Sequence, residues 1–142
     1  MTRLLYALCG EDPARQFSPH VWKVVMALAH KGLAWETAPV PFTGIPAIEG
    51  GATKTVPLLR DGDNLVSDSF AIALYLEEAY PDAPSLFGGE TPLFADYIVF
   101  GALQWLRTTS PTRVLAAYDP VSEWFERLLD LYEGVGRRMT AA

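Results

Sequence analysis

Residues 16–33 read QFSPHVWKVVMALAHKGL, a stretch that marks both ends of one helix. Ser18 stands directly before Pro19, a pair typical of a helix N-terminus because serine accepts a backbone N–H bond and proline suits the first helical position. The residues that follow at helical spacing are apolar: Val21, Val25 and Leu28. Gly32 is a helix stop. We therefore predict a helix from Pro19 to about His30.

The hydroxyl of Ser18 has two interpretations on these residues alone. It can serve as an ordinary N-cap, which accounts for the fold and leaves function open. Alternatively, the hydroxyl and the free N–H groups of the helix end can face an anion, which the helix dipole also favours.

The composition of the chain argues against several classes of protein and ligand. The 142 residues carry a net charge of −6, and no dense basic patch is available for binding nucleic acid. No apolar run reaches the roughly 18 residues of a membrane span. The single cysteine, Cys9, excludes an intrachain disulfide, and we expect a cytoplasmic protein. Neither histidine has the companions of a metal site, so no metal is expected.

Strand and turn signals flank the helix on both sides. Apolar runs bounded by Gly, Pro and Asp predict a first strand over Arg3–Cys9, an edge strand over Trp35–Phe42 and a hairpin over Val56–Ser67 that turns at Asp61–Asn64. A second helix is predicted over Ser69–Ala79. The resulting order is β-α-β followed by β-β-α.

Beyond Pro84 the pattern becomes purely helical. One helix is predicted from Phe94 and another from Asp119-Pro120. The second of these should bury one face made of Val121, Phe125, Leu128, Leu131 and Val135. Turn composition at Gly88-Gly89 places the boundary between two domains, 1–88 and 89–142.

Five motifs in order resemble the glutathione transferases, and together they cover most of residues 1–89. They read SPHVWK, ALAHKGL, TVPLL, DSFAIALYLEE and YPDAPSLFGG. The closest likeness is to serine-type members, the bacterial β-etherase-like and fungal FuA-like enzymes. This resemblance implies an α/β thioredoxin-like N-terminal domain followed by an all-α C-terminal segment. That segment is truncated relative to the family, because two long helices between PSLFGG and ADY have no counterpart here. Either the chain itself is shortened, or the sequence omits a stretch of the protein.

The resemblance also implies a function and its site residues. Glutathione would be the co-substrate, and Ser18 would hold its thiol as thiolate for conjugation to, or reductive ether cleavage of, a small hydrophobic aromatic electrophile. Val56 would offer its backbone to the cysteinyl part before a cis Pro57, although an ordinary strand-opening proline is the alternative. Asp68 and Ser69 would receive the γ-glutamyl end, with Ser69 capping the helix. Lys54 would meet the glycine carboxylate, unless it is simply solvated.

The sequence also allows two alternative functions. A non-catalytic glutathione-binding or structural relative is the rival function, because the shortened helical segment removes one wall of the electrophile site. A dithiol oxidoreductase ranks lowest, because Cys9 lacks a second cysteine and is better explained as a buried strand-end thiol.

The short helical segment cannot by itself bury all of its large aromatic residues, which are Phe94, Phe100, Trp105, Trp124 and Phe125. We therefore expect a homodimer that covers the remaining apolar surface.

Overall fold

A four-stranded sheet forms the first half of the chain, in a computed structural model that describes residues 2–117 and 119–142. Its strands are β1 (Arg3–Leu8), β2 (Trp35–Val40), β3 (Leu58–Asp61) and β4 (Asn64–Ser67). The spatial order is β2-β1-β3-β4, with β2 parallel to β1 and both other pairs antiparallel. The predicted β-α-β unit, the edge position of β2 and the hairpin are all confirmed.

The helices also follow the predicted order. They are α1 (Pro19–His30), α2 (Ser69–Ala79), α3 (Phe94–Thr109) and α4 (Pro120–Gly134). A 3-10 helix over Phe42–Gly50 follows β2, in a stretch for which no element was predicted. No strand follows α2 within the residues that the structure describes. The fold is therefore a thioredoxin-like α/β unit followed by helices, as expected, and the division at 88/89 stays a prediction.

Helix α1 packs against both α2 and α3 and joins the two halves of the molecule. The ring of Trp22 on α1 meets Phe100 on α3 edge to face, with centroids 6.2 Å apart. Close approach of the two backbones depends on Gly101, where an added Cβ would lie 2.5 Å from the carbonyl oxygen of Pro19. Glycine is thus required at the point where α3 crosses the start of α1.

The far end of α1 is closed by a buried polar cluster, which we call the His30 cluster. Nε2–H of His30 donates to the carbonyl of Ser85 at 2.8 Å, so Nδ1 is left to accept from the hydroxyl of Tyr97 at 2.6 Å, and the hydroxyl of Tyr132 lies 3.1 Å from Nδ1. The two hydroxyls also bond to each other. Burial lowers the pKa of His30 and keeps its ring neutral.

The neighbouring Lys31 is also fully committed. Its ammonium lies 2.7 Å from the carboxylate of Glu77 on α2 and donates to the carbonyl of Tyr80 at 3.2 Å. Burial alone would raise the pKa of Glu77, but hydrogen bonds from Lys31, Leu86 and Ser85 outweigh it and hold that pKa low. Both His30, the last residue of α1, and Lys31, its C-cap, are therefore held by polar contacts.

Helix α4 departs from the prediction in two places. Asp119 caps it as expected, accepting from the N–H of Val121 at 2.7 Å. Val121 itself is exposed, because the buried face of the helix begins one residue later and runs through Ser122, Phe125, Leu128 and Leu129. The helix is interrupted at Leu131–Glu133, where Tyr132 takes φ 53°. That interruption turns the Tyr132 hydroxyl into the His30 cluster.

Helix α3 leaves one apolar side uncovered in the structure described. Ile98, Val99 and Trp105 are 44%, 51% and 43% exposed. Phe94, Phe100 and Phe125 are buried, and Phe100 is covered by Trp22 of α1, as expected of a helical segment that cannot bury all of its aromatic residues within itself. Trp105 stays partly uncovered. The described helices include none that is long and apolar enough to cross a membrane.

Candidate functional site

Two segments are brought together at one end of the sheet by the strand register. Leu58 opens β3 directly after Pro57, and Ser67 closes β4 directly before Asp68. These two strand residues are paired in the antiparallel ladder. The Val56-Pro57 turn and the start of α2 are therefore neighbours.

The third segment is the start of α1, which an isolated β-bridge holds next to β1. Cys9, at the end of β1, pairs with Gln16 across the loop, and the N–H of Cys9 donates to Val40 of β2 at 2.9 Å. Its thiol is buried, as predicted. Since Ser18 follows Gln16 by two residues, the bridge holds the start of α1 beside the end of β1.

Ser18 is the N-cap of α1, and its hydroxyl is only loosely used. Its oxygen accepts from the N–H of Val21 at 3.5 Å, the long limit of a hydrogen bond. The side chain is 5% exposed. Among the described residues the hydroxyl hydrogen has no acceptor, so one donor is left available.

The peptide bond between Val56 and Pro57 is cis, as the resemblance implied. Val56 lies just outside the β3 ladder. Its N–H and C=O form no hydrogen bond within residues 2–117 and 119–142. An unpaired peptide unit of this kind can pair with the backbone of a bound peptide.

Sequence reasoning missed Thr53, which holds the loop in front of Val56. Its hydroxyl donates to the carbonyl of Thr55 at 2.7 Å, accepts from the Thr55 N–H at 3.1 Å, and lies 3.0 Å from the hydroxyl of Ser67. Thr53 is buried. The TKT run at 53–55 was the available signal, because a buried threonine in a loop needs local partners.

Asp68, rather than Ser69, caps α2, which corrects the prediction for Ser69. One carboxylate oxygen of Asp68 accepts from the N–H groups of Phe70 at 3.2 Å and Ala71 at 3.0 Å. Its backbone is at φ 78°, ψ 129°, a conformation costly for a residue with a side chain. The second carboxylate oxygen has no partner among the described residues. Strain of this kind is characteristic of ligand-binding positions.

Ser69 and Lys54 complete the predicted set. Ser69 is the first residue of α2 and is buried, and its hydroxyl and N–H make no hydrogen bond within the part of the chain described. Lys54 lies exposed in the loop two residues before Val56, in no ion pair that the described residues form. The structure thus places all six predicted residues on three adjoining segments.

The electrostatics of the site suit a small zwitterionic or anionic peptide. Two helix N-termini, those of α1 and α2, lie here with their positive dipole ends. Burial and the nearby Lys23 lower the pKa of His20, while the Asp68 carboxylate acts in the opposite direction, which places α2 near the first turn of α1. Asp68 supplies the one negative charge, suited to an amine.

A cavity of about 390 Å³ lies elsewhere, between α3, the loop after it and the start of α4. None of the six predicted residues lines it. The site around Ser18 is therefore formed by segment ends, with Asp68 and Lys54 exposed to solvent, and the large cavity is a separate feature.

Two family profiles match the chain. The one described as the glutathione S-transferase N-terminal domain matches residues 17–79, and the glutathione S-transferase C-terminal domain matches residues 62–127. No group of three or more metal-ligating side chains occurs in the described residues.

Individual relatives agree with these profiles. Glutathione S-transferase Z1 of Arabidopsis thaliana is 44% identical over 88 residues, 54% of this chain and 39% of the relative. Glutathione transferase FuA3 of Phanerochaete chrysosporium gives a TM-score of 0.55 at 29% identity, over 76% of this chain and 49% of the other. A Ceriporiopsis subvermispora glutathione S-transferase, solved with glutathione, gives 0.55 at 27% identity, over 95% and 61%. The match spans 30–39% of the length of the curated relatives.

Proposed function

The chain belongs to the glutathione S-transferase family, and on this premise we propose that it binds glutathione around Ser18 and stabilises the thiolate. Supporting this ligand, the similar Ceriporiopsis protein was solved in complex with glutathione.

The uncommitted Ser18 hydroxyl is the observation that carries the proposal. A cysteine thiol has a pKa of about 8.5, and lowering it by two units requires about 2.7 kcal/mol of preference for the anion. A hydrogen bond to a charged group contributes about 1.5–3 kcal/mol, and a helix N-terminus about 0.3–1 kcal/mol. Ser18 can provide both, since its hydrogen has no acceptor among the described residues and it caps α1. It acts as a donor and not as a nucleophile.

The remaining site residues bind the peptide portion in this proposal. Val56 pairs through its free N–H and C=O with the cysteinyl backbone, next to the cis bond to Pro57. The free carboxylate oxygen of Asp68 accepts from the γ-glutamyl amine, while the N–H and hydroxyl of Ser69 donate to the γ-glutamyl carboxylate. Lys54 pairs with the glycine carboxylate.

The reaction follows from the thiolate. Its sulfur attacks an electrophilic carbon of a small hydrophobic aromatic substrate, and the leaving group departs with the bonding electron pair. A halide leaving group gives conjugation, and an aryloxide gives ether cleavage. We assign the chain to the serine-type, β-etherase-like and FuA-like members because Ser18 occupies the helix start and a FuA protein is among its structural relatives.

Replacing Ser18 with alanine tests this function. We expect turnover of glutathione with an aryl halide to fall about 10- to 100-fold, because one charge-assisted hydrogen bond to the thiolate is lost. Glutathione affinity should change only a few-fold, since the peptide contacts remain. Ser110→Ala, at the far end of α3, is the matched control and should keep full turnover. Undiminished turnover in Ser18→Ala would refute the role of Ser18.

A non-catalytic glutathione-binding relative is the second candidate, favoured by the limited span of the match to full-length relatives. Calorimetric titration of the unmodified protein separates the two functions. Micromolar to millimolar glutathione affinity without turnover toward aryl halides or aryl ethers would establish the binding function instead.

We further propose a cytoplasmic homodimer in which the uncovered side of α3 is part of the interface. Ile98, Val99 and Trp105 form this apolar surface, and patches of such residues recruit a partner. Sedimentation of the unmodified protein at micromolar concentration should give a dimer, and Trp105→Glu should shift it to monomer. A stable monomer that binds no hydrophobic dye would contradict both the dimer and its apolar surface.

A further inference from the structure

The segment that carries Ser18 is bonded twice to a single residue of α1, Trp22. The indole Nε1–H of Trp22 donates to the carbonyl of Gln16 at 3.0 Å. The backbone N–H of Trp22 donates to the carbonyl of Ser18 at 3.1 Å. The second bond belongs to the first turn of any α-helix, whereas the first depends on an indole at this position. Trp22 therefore holds the chain on both sides of Phe17, directly before the helix begins.

The indole ring of Trp22 is itself fixed by packing. It is 3% exposed and meets the ring of Phe100 on α3 edge to face, with centroids 6.2 Å apart. The start of α1 is in close contact with α3 beside this ring, at Pro19 and Gly101. A donor on a buried, packed ring has little conformational freedom left, so its acceptor is held more firmly than by a mobile side chain.

This anchor relieves Ser18 of the task of holding its own segment. The cap bond from the Val21 N–H to the Ser18 hydroxyl oxygen is 3.5 Å long and is a weak restraint. Gln16, two residues earlier, is restrained by the bridge to Cys9 and by the indole of Trp22. The position of Ser18 is thus set through the backbone, and its hydroxyl remains available as a donor.

We infer that Trp22 is a positioning residue for the Ser18 hydroxyl, an inference that rests on the proposed function. In this role Trp22 acts through Ser18 and not on the thiol. By anchoring Gln16, its indole N–H keeps the hydroxyl within hydrogen-bond distance of the glutathione thiolate. Hydrogen bonds weaken steeply with distance and angle, so a small displacement of this segment lowers turnover. Binding of the peptide portion is spared, because Val56 and Asp68 lie on other segments.

Trp22→Phe tests this role, because it removes the indole N–H and keeps an aromatic ring against Phe100. We expect turnover with an aryl halide to fall about tenfold and the KM for glutathione to change by less than about twofold. The pKa of the bound thiol should rise toward its free value, which the ultraviolet absorbance of the thiolate follows. Trp124→Phe makes the same change at a half-buried position of α4 and should alter none of these quantities.

A double variant separates positioning from packing. If Trp22 acts through Ser18, Ser18→Ala/Trp22→Phe should turn over within about twofold of Ser18→Ala alone, because the hydroxyl that Trp22 positions is gone. Independent effects would multiply and give a further loss of about tenfold. That further loss would overturn the positioning role.

Hydrogen exchange keeps this test distinct from that of the proposed function. Backbone N–H groups of residues 16–18 should exchange faster in Trp22→Phe than in the unmodified protein, and Trp124→Phe should leave them unchanged. Full turnover in Ser18→Ala would overturn the proposed function and the positioning role together. With Ser18→Ala impaired, undiminished turnover or unchanged exchange in Trp22→Phe would overturn only the role of Trp22.

The unmodified protein supplies the measurement if Trp22→Phe fails to fold. Nuclear magnetic resonance follows the indole N–H groups one by one. Nε1–H of Trp22 should exchange at least about tenfold more slowly than that of Trp105, which is 43% exposed, because only the former is bonded to a buried segment. Equal exchange of the two indoles would show that Trp22 does not hold Gln16 and would overturn the inference.

Discussion

The two ends of α1 differ in how completely their polar groups are used. At the C-terminal end His30 bonds through both ring nitrogens and Lys31 is paired with Glu77 at 2.7 Å. At the N-terminal end the cap bond of Ser18 is 3.5 Å long, and its hydroxyl hydrogen has no acceptor in the described structure. The ends of this 12-residue helix are about 18 Å apart.

This difference assigns stability to the C-terminal end of α1 and leaves its N-terminal end available for function. Groups that are fully bonded in the folded chain can only stabilise it, because a ligand would have to break an existing contact. Groups left with spare donors are free to bind. Substitutions at the His30 end should therefore change the free energy of unfolding and spare the proposed glutathione binding. Ser18→Ala should lower the proposed turnover and leave the free energy of unfolding nearly unchanged.

Gly101→Ala is expected to have the largest effect and would break this separation. Its new Cβ would lie 2.5 Å from the carbonyl oxygen of Pro19, so α3 and the start of α1 must move apart. We expect the free energy of unfolding to fall by about 3 kcal/mol and glutathione affinity to fall with it. Gly88→Ala, where an added Cβ meets nothing within 4 Å, is the control for urea unfolding. An unchanged midpoint for Gly101→Ala would show that the two helices are not in this contact.

The two histidines of the chain allow a matched test of the closed end. His30→Leu leaves the Tyr97 and Tyr132 hydroxyls and the Ser85 carbonyl without their partner, which should cost about 2 kcal/mol. His20→Leu, on the exposed first turn, should cost less than about 0.5 kcal/mol. Comparable losses in thermal unfolding would mean that the His30 cluster contributes no more than a surface residue.

The His30 cluster should also make the free energy of unfolding depend on pH. Because burial lowers the pKa of His30 in the folded state, the unfolded chain binds more protons below the unperturbed value of about 6.5. Above pH 6.5 the free energy of unfolding should not depend on this group, and it should fall as the pH drops toward 5. The lowered pKa of Glu77 acts separately, below about 4.5. His30→Leu should reduce the slope between pH 6.5 and 5, and the part that remains belongs to His20, whose pKa is also lowered. An undiminished slope would assign it to groups other than His30.

Helix caps give the smallest effects. The cap bond of Asp119 is 2.7 Å long and that of Ser18 is 3.5 Å. Asp119→Ala should therefore cost about 1 kcal/mol of unfolding free energy, and Ser18→Ala less than about 0.5 kcal/mol. Chemical denaturation measures both. A larger loss for Ser18→Ala than for Asp119→Ala would make Ser18 chiefly a structural cap and weaken its functional assignment.

Local sequence signals predicted most of the elements. The Ser-Pro and Asp-Pro pairs marked the starts of α1 and α4, and the turn at Asp61–Asn64 marked the hairpin. The His30 cluster was beyond reach, because His30 meets residues 67 and 102 positions away. The residues next to Tyr97 and Tyr132 in the sequence do not indicate such a contact. The break at Leu131–Glu133 is part of the same long-range contact.

The site was predicted through family resemblance more than through local chemistry. Spacing alone indicated a cap at Ser18 and left its function open. The assignment of the second cap to Ser69 was wrong because Asp68 adopts φ 78°, and that backbone turns its carboxylate toward the N–H groups of Phe70 and Ala71. Thr53 was missed because its contact with Ser67 forms only after the hairpin closes.

The buried thiol of Cys9 can report on the local opening of one segment of the chain. It is the sole cysteine, and it lies on the bridge to Gln16 that leads the chain to Ser18. A thiol-specific reagent can reach it only when that bridge opens, so the alkylation rate counts openings of this segment rather than unfolding of the whole molecule. A ligand that binds at the start of α1 would slow this alkylation.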